Sequence, residues 1–407
     1  MAHSNTQSIQ VYSYRWAILI VFMLVVIFNQ LLWITFAPIT STAAAYYQVD
    51  NLSIGLLSMC FMIAYLVVSI PASWTIDTYG YRTAVGIGAV LTGVFGLMRG
   101  LVASSYTLVL IAQIGIAIGQ PFILNSVTKV AARWFPLEER ATASGFGSLA
   151  MYLGILAGML LTPFLTLQVG IPNTLLIYGL GAVLVAIIFL SASREYPPSP
   201  PGPPELEERA LMFDGLKQAL RKRDFLLLMF IFFIGLGVFN SVTTWIEDIV
   251  RPRGFSITQA GLAGGLMIIG GVLGALILPT LSDRYRRRVP FIILALIGAT
   301  LGLIGVTFSP GTLLLYASGF LLGFSLLSAG PLGFQYGAEI ARPTPEGTSN
   351  GMLLLMGQIS GILFIFGMDS LKDPTTGAMT TSLVFLIVLM FVGLLAATRL
   401  HESKLLQ

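Results

Sequence analysis

Twelve apolar runs, each long enough to cross a bilayer as a helix, constrain the fold of this 407-residue chain more than any other feature. A membrane-spanning helix needs about 20 mostly apolar residues. With 56% hydrophobic and 10% charged residues, the chain is not an ordinary soluble domain, and we expect an all-α membrane protein. The predicted spans are residues 15–37, 54–76, 83–103, 106–128, 141–165, 172–192, 225–249, 257–281, 289–308, 311–338, 348–368 and 377–399.

One long polar segment divides the apolar runs into two blocks of six. It contains six prolines between Pro197 and Pro204, together with many charged residues. Such a composition is typical of a linker and not of a packed core. We therefore expect an N-terminal six-helix bundle in residues 1–192, a linker in residues 193–224 and a C-terminal six-helix bundle in residues 225–407.

The positions of lysine and arginine predict the orientation in the membrane. Cytoplasmic loops carry an excess of these residues. With both termini in the cytoplasm, all but four of the 22 basic residues lie on that side, the exceptions being Arg99, Arg251, Arg253 and Lys372. The linker is then cytoplasmic too. The basic residues are dispersed among loops, so we expect no nucleic-acid partner. Short external loops favour a prokaryotic inner membrane, or more generally a cell membrane.

Two loops with the same charge pattern occupy matching positions in the two blocks. Asp77 precedes Arg82 between spans two and three, and Asp283 precedes Arg284 and Arg286 between spans eight and nine. Matching loops in two halves indicate a duplicated transporter fold. The loops resemble the characteristic loop of the major facilitator superfamily, which implies two pseudo-symmetric bundles of six helices. We expect the acids to pair with these arginines and close the cytoplasmic gate.

A second repeat relates spans five and eleven. Thr142-Ala143-Ser144-Gly145 opens span five, and Thr348-Ser349-Asn350-Gly351 opens span eleven. The offset of 206 residues pairs Tyr152 with Gln358. In a transporter whose halves rock, these spans are inner helices, so both side chains are predicted to face a central cavity.

Several polar residues lie inside the apolar spans. Asn29, Gln30 and Trp33 belong to span one, Gln120 to span four and Asn240 to span seven. Polar groups at this depth must pair or face water, because hydrocarbon does not solvate them. Two interpretations remain open for each residue. It forms a bond between helices, or it lines a substrate cavity.

Three acidic residues near span ends also allow two interpretations. Glu247 and Asp248 lie near the outer end of span seven, close to Arg251 and Arg253, and form either surface ion pairs or a site that couples transport to protons. Glu339 ends span ten and either joins the cytoplasmic gate with arginines of nearby loops or contacts substrate.

Several stretches together resemble the feline leukaemia virus subgroup C receptor-related family within the superfamily. The matching pieces are Asn29-x-x-x-Trp33-Ile34, Gly119-Gln120-x-Phe122-x-Leu124, Ala131-x-Arg133-Trp134-Phe135, Pro331-Leu332-Gly333-Phe334 with Glu339, Pro345-Glu346-Gly347-Thr348-Ser349-Asn350-Gly351 and Gln358-Ile359-x-Gly361. They cover both halves. The resemblance implies transport of choline, ethanolamine or haem, or of pyridoxine in one relative.

The resemblance also implies site residues. Trp33 and Gln358 stand where the family contacts an amine-bearing substrate. Tyr152 replaces a family glutamine, Asn240 replaces a tyrosine, and the acidic pair after span seven replaces uncharged residues. A cage of Trp33 and Tyr152 would suit a small organic cation, since an aromatic face attracts a desolvated ammonium by about 1–2 kcal/mol.

The residues favour a secondary transporter. The chain has no G-x-x-x-x-G-K phosphate loop, and its two histidines, His3 and His401, lie at the tails, so we expect no ATP use, enzyme activity, metal or cofactor. No acid lies mid-span, which favours facilitated uniport of a small organic solute by a monomer in the lipid bilayer. The alternatives are a proton-coupled metabolite or drug antiporter, and a non-transporting receptor or sensor whose linker docks a partner.

Overall fold

The computed structural model describes residues 11–199, 217–342, 344 and 346–403, so most of the predicted linker lies outside the described residues. The described residues are helical between short turns and contain no strand, which confirms the all-α prediction. Among them, 11 helices are long and apolar enough to cross a membrane. The helices are α1 Tyr14–Ile34, α2 Thr40–Tyr47, α3 Asn51–Tyr79, α4 Tyr81–Leu101, α5 Tyr106–Leu124, α6 Val127–Trp134, α7 Leu137–Ala192, α8 Arg223–Thr244, α9 Ile246–Val250, α10 Ile257–Tyr285, α11 Val289–Phe308, α12 Thr312–Ala341, α13 Glu346–Ser370 and α14 Thr380–Ala397.

Helix α7 folds back on itself at Gly170. This residue has φ 78° and ψ 167°, a conformation outside the helical region that glycine adopts at little cost. Gly154 of the first arm packs on Ile27 of α1, while Gly181 of the second arm packs on Phe28. Gly154 and Gly181 are 27 residues apart in α7, but they lie at the same height along α1. The two arms run antiparallel, as expected from the two apolar runs in this segment.

The helices define two ends of the molecule. The Tyr14 hydroxyl donates to the Ala192 carbonyl at 2.7 Å, and the Tyr336 hydroxyl donates to the His401 carbonyl at 2.6 Å. The start of α1 thus meets the end of α7, and the end of α12 meets the last described residues. We call this side the termini end and the opposite side the far end. Residues 11–199 form the first half and residues 217–403 the second half.

Arg99 closes the far end of α1 from inside the protein. Its guanidinium is fully buried and donates to the Leu32 carbonyl at 2.9 Å, the Gln113 side-chain carbonyl at 2.7 Å and the Thr35 hydroxyl at 3.3 Å. Carbonyls at a helix C-terminus lack helical partners and favour a cation. Pro38 ends the helix because it lacks an N–H group. In the sequence, Arg99 contributes only to the prediction of membrane orientation. In the structure it is a residue of the core.

Glycines let neighbouring helices pack closely. A side chain at Gly323 of α12 would overlap with the Met267 carbonyl of α10, and one at Gly274 of α10 would overlap with the Phe324 carbonyl of α12. Small residues have this role in membrane helices because packing replaces the hydrophobic effect there. The bundle positions the polar residues described next.

Candidate functional site: the far-end closure and a central polar group

The two halves contact each other in the part of the bundle nearest the far end. Gly261 at the start of α10 packs on Met159 in the first arm of α7, and a side chain there would overlap with the Met159 carbonyl. Gly361 of α13 packs on Met62 of α3. In both contacts the backbone of a glycine in the second half lies directly against a residue of the first half. We call this close packing of the two halves the far-end closure.

Glu247 and Asp248 lie in this seam. Glu247 accepts hydrogen bonds from the Ser41 backbone N–H at 2.9 Å and from the Ser41 hydroxyl at 2.6 Å. Asp248 accepts one from the Asn51 side chain at 2.6 Å. The acids belong to the second half and their donors to the first. Glu247 is 1% exposed and Asp248 is fully buried, so the interpretation as a surface ion pair is wrong.

Asp248 has more cationic partners than Glu247. Asp248 pairs with Lys372 and, at 3.2 Å, with Arg251. Among the described residues, Glu247 pairs only with Arg251, at 3.5 Å, and that arginine side chain is 43% exposed. Arg253 points elsewhere and donates to the Val306 carbonyl at 2.8 Å. Glu247 is therefore the less compensated of the two buried charges.

Glu247 lies beyond the end of the membrane span α8. Burial raises the pKa of its carboxyl above the ordinary value, while the hydrogen bonds from Ser41 act in the opposite direction. The neighbouring Asp248 carboxylate adds to the increase. The raised pKa means that loss of water around this carboxyl outweighs its hydrogen bonds.

In the first half, the predicted gate pair at the termini end has a different arrangement. Asp77 lies 3.6 Å from Lys129 in α6, and not beside Arg82 as expected. Arg82 is in the first turn of α4, where its backbone N–H donates to Glu195 at 2.8 Å. The turn at Gly80, with φ 86°, separates Asp77 from the exposed Arg82 side chain. The helix break redirects the arginine in this structure, and the prediction that Asp77 pairs with Arg82 when the outside is open stays a prediction.

In the second half, the predicted gate acid Asp283 also has a partner that the sequence did not single out. Arg288 pairs with Asp283 and, at 3.1 Å, with Glu339. Arg284 and Arg286, the predicted partners, are exposed. Arg286 has φ 51° and ends α10, so the chain turns and the next helix brings Arg288 back to the acid. All of these ion pairs stay within one half.

Hydrogen bonds set the relative heights of α1, α3 and α5. The Trp33 indole N–H donates to the Ser58 carbonyl at 3.2 Å. The Gln113 amide donates to the Leu32 carbonyl at 3.2 Å and the Leu57 carbonyl at 3.0 Å. Trp33, Ser58 and Gln113 therefore lie at one level, which serves as a reference for the other candidate residues.

Two candidate residues of the first half, Gln120 and Tyr152, lie nearer the termini end than this reference level. Gln120 is seven residues beyond Gln113, or about 10 Å along α5 at 1.5 Å per residue. Gly158 packs on Leu31 and Ile34, so it shares the level of Trp33. Tyr152 is six residues earlier and lies about 9 Å lower.

Two candidates of the second half reach the same depth. Met62 is one turn below Ser58, about 6 Å, and packs on Gly361. Gln358 lies about 4.5 Å lower still along α13. The Asn240 side chain donates to the Gly357 carbonyl beside it at 3.1 Å.

We call Gln120, Tyr152, Asn240 and Gln358 the central polar group. They lie at one level near the middle of the span Tyr14–Tyr47, with two residues in each half. The side chains of Gln120, Tyr152 and Gln358 form no hydrogen bond with the described residues. An unpaired polar group at this depth is costly unless it faces water.

The remaining polar residues of α1 have partners inside the first half. The Asn29 amide donates to the Thr92 hydroxyl of α4 at 3.1 Å, and Gln30 donates to Asn29 at 3.4 Å. Both are buried, which favours the interpretation as bonds within and between helices. Trp33 and Tyr152 lie about 9 Å apart in height, and the cage that they are predicted to form stays a prediction. Among the described residues, no cluster of His, Cys, Asp and Glu could hold a metal ion.

A sequence profile described as the Major Facilitator Superfamily matches residues 22–365. The chain belongs to the major facilitator superfamily. This membership indicates a multi-pass membrane transporter that binds a small molecule, and not an enzyme.

Relatives of this superfamily member include transporters of several animals. Solute carrier family 49 member A3 of Xenopus tropicalis is 30% identical over 381 residues, covering 89% of this chain and 79% of the relative. Choline/ethanolamine transporter FLVCR1 of Felis catus is 28% identical over 422 residues, covering 96% of this chain and 73% of the relative. These relatives agree with the family resemblance in the sequence motifs.

A solved structure has the same fold. It is a bacterial homologue of the human lysosomal transporter Spinster in an inward-facing, unoccupied conformation. The TM-score is 0.78 at 18% sequence identity, with 96% of this chain and 98% of that chain covered. At this identity the similarity shows the fold alone.

Proposed function

We propose that this chain transports a small organic cation, an amine such as choline or ethanolamine, by alternating access. The observation that carries the proposal is the central polar group. Its four side chains come from both halves, lie at one mid-membrane level and mostly have no protein partner. A water-filled cavity between the halves satisfies them, and such a cavity is where transporters of this kind bind substrate.

The substrate is placed between Trp33 and the central polar group. The spacing of about 10 Å along the bundle is large enough for a small amine. The Trp33 ring closes the cavity toward the far end and offers an aromatic face to an ammonium group. The named choline/ethanolamine relatives support this substrate class. The central polar group contains no acid, which favours facilitated uniport driven by the membrane potential.

The arrangement of the chain supports the same function. With α7 divided at Gly170, the 11 candidate helices count as twelve spans. We assign these spans to two bundles, within residues 1–192 and 225–407, joined by the linker 193–224. The excess of basic residues at the termini end indicates that this end faces the cytoplasm and that the protein lies in a cell membrane. On this assignment the far-end closure faces the outside of the cell.

Uptake and binding measurements test the proposal. Purified protein in liposomes should take up labelled choline or ethanolamine down its gradient, and a thermal-shift series should show stabilisation by the same amines. At 100 times the dissociation constant a ligand adds about 2.7 kcal/mol to the unfolding free energy. Gln358→Leu should reduce both signals. Stabilisation by organic acids alone, or uptake that requires a proton gradient, would contradict the proposed substrate or the uniport mechanism.

A further inference from the structure

We infer that Glu247 is a proton-binding site that controls the far-end closure, so that protons on that side favour the closed state. The inference rests on the proposed alternating access. Its test, however, measures conformation without any substrate. Failure of this inference is therefore distinguishable from a wrong substrate or from absent transport.

The geometry makes the closure depend on this carboxyl. Ser41 in the first half donates two hydrogen bonds to Glu247 in the second half. When the halves separate at the far end, the carboxyl loses both donors and gains water. Its environment thus changes more between the two states than that of an acid whose partners all lie in one half.

The charged groups nearest Glu247 are Asp248 and Arg251, and Asp369 lies near Asp248, Lys372 and Asp50. Asp248 is held by Lys372 and Arg251, both from the second half. Helix α2 and the turn at Ala37–Ile39 carry no charged residue, and the nearest charges of α8 and α10 lie at the termini end. Arg251 approaches Glu247 from its own segment. Arg253 of that segment faces carbonyls of α11.

The direction of the effect follows from linkage. Burial in the closed state raises the pKa of Glu247, whereas in an open far end water returns it toward the ordinary value. The closed state then binds more protons than the open state. Protons stabilise the closed state at low pH, and this advantage is lost as the pH rises through the raised pKa. One proton changes the closed-to-open ratio by at most about tenfold per pH unit.

The experiment measures the far-end distance by pulsed electron resonance in lipid nanodiscs. The single cysteine is removed by Cys60→Ala. Spin labels are placed at Ser104→Cys in the first half and Pro310→Cys in the second, two exposed loop positions at the far end. Distances are recorded from about pH 4 to about pH 8, a range that begins near the ordinary pKa of a glutamate carboxyl and extends above it.

The expected result is a larger short-distance population at low pH, lost in Glu247→Gln. Asp373→Asn is the matched control, because Asp373 is an exposed far-end acid bonded only within its own loop. It should keep the pH response. A wild-type protein with no pH response overturns the inference, and so does a Glu247→Gln protein that retains it.

A second variant covers the case in which Glu247→Gln does not fold. Ser41→Ala removes the hydroxyl that favours the charged carboxylate, so the midpoint of the pH response should move to higher pH. A midpoint that stays at the wild-type value overturns the inference.

Discussion

Glu247 and Ser41, 206 residues apart in the chain, form two hydrogen bonds that link the two halves at their closed end. The Ser41 hydroxyl lies 2.6 Å from the carboxylate and the Ser41 backbone N–H lies 2.9 Å from it. Because donor and acceptor belong to different halves, the bonds must break when the far end opens. This relationship makes the closure testable by single substitutions.

Ser41→Ala should weaken the closure. A hydrogen bond to a charged group contributes about 1.5–3 kcal/mol, so its loss shifts the closed-to-open ratio by about tenfold or more at neutral pH. The same pair of labels at positions 104 and 310 reports the change. Thr375→Ala, in an exposed loop of the far end, should leave the distances unchanged. An equal change in both variants would contradict a specific role for Ser41.

Trp33 should contribute to binding through its ring. Trp33→Phe keeps an aromatic face and loses only the hydrogen bond to Ser58, so amine affinity should fall by less than about fivefold. Trp33→Ala removes the face and should lower affinity at least about tenfold. Calorimetry on the folded fraction separates binding from stability. Equal affinities in the wild type and Trp33→Ala would exclude Trp33 from the site.

Gln358 should interact with substrate directly. Gln358→Leu keeps a similar volume and removes the unpaired amide, so affinity should decrease by about tenfold. Stability should change little because the amide has no partner among the described residues. Gln168→Leu, at an exposed position of the far end, is the control and should bind as the wild type does. A loss of stability without a loss of affinity would indicate a structural role.

Arg288 should stabilise the termini end of the second half. Arg288→Gln leaves the nearly buried Glu339 without its cation, which should cost about 3 kcal/mol or more in unfolding free energy. Arg286→Gln changes an exposed arginine and should cost less than about 0.5 kcal/mol. Thermal unfolding of the purified variants compares them. The double variant Arg288→Gln with Glu339→Gln should recover part of the loss. No recovery would show that the pair is not coupled.

The residues of the central polar group illustrate how far sequence patterns reach. The 206-residue repeat predicted that Tyr152 and Gln358 occupy equivalent positions, and the structure places them at one level of the bundle. The height difference of about 9 Å between Trp33 and Tyr152 could not be read from the sequence, because sequence spacing does not report the relative height of two helices. That height is set by contacts such as Gly158 on Leu31 and Ile34.

Arg99 shows the same limit from the opposite direction. Its place in an apolar run near a span end is typical of an interfacial arginine, yet it is buried and bonded to the end of α1. No local pattern marks this role. The signal that could have revealed it is the combination of a helix broken at Pro38 and a glutamine, Gln113, at the same depth in another span.

The sequence by itself determined the all-helical membrane fold and the superfamily, because these depend on run lengths, composition and repeated motifs. Tertiary structure alone decided the ion-pair partners and the buried position of Glu247 and Asp248. The reason is physical. Hydropathy acts on each segment separately, whereas Ser41 and Glu247, or Asp283 and Arg288, meet only after helices have packed and helix ends have turned the chain. Partners such as Ser41 and Glu247 therefore follow from packing, whereas Arg251 pairs with acids three and four residues before it in the chain.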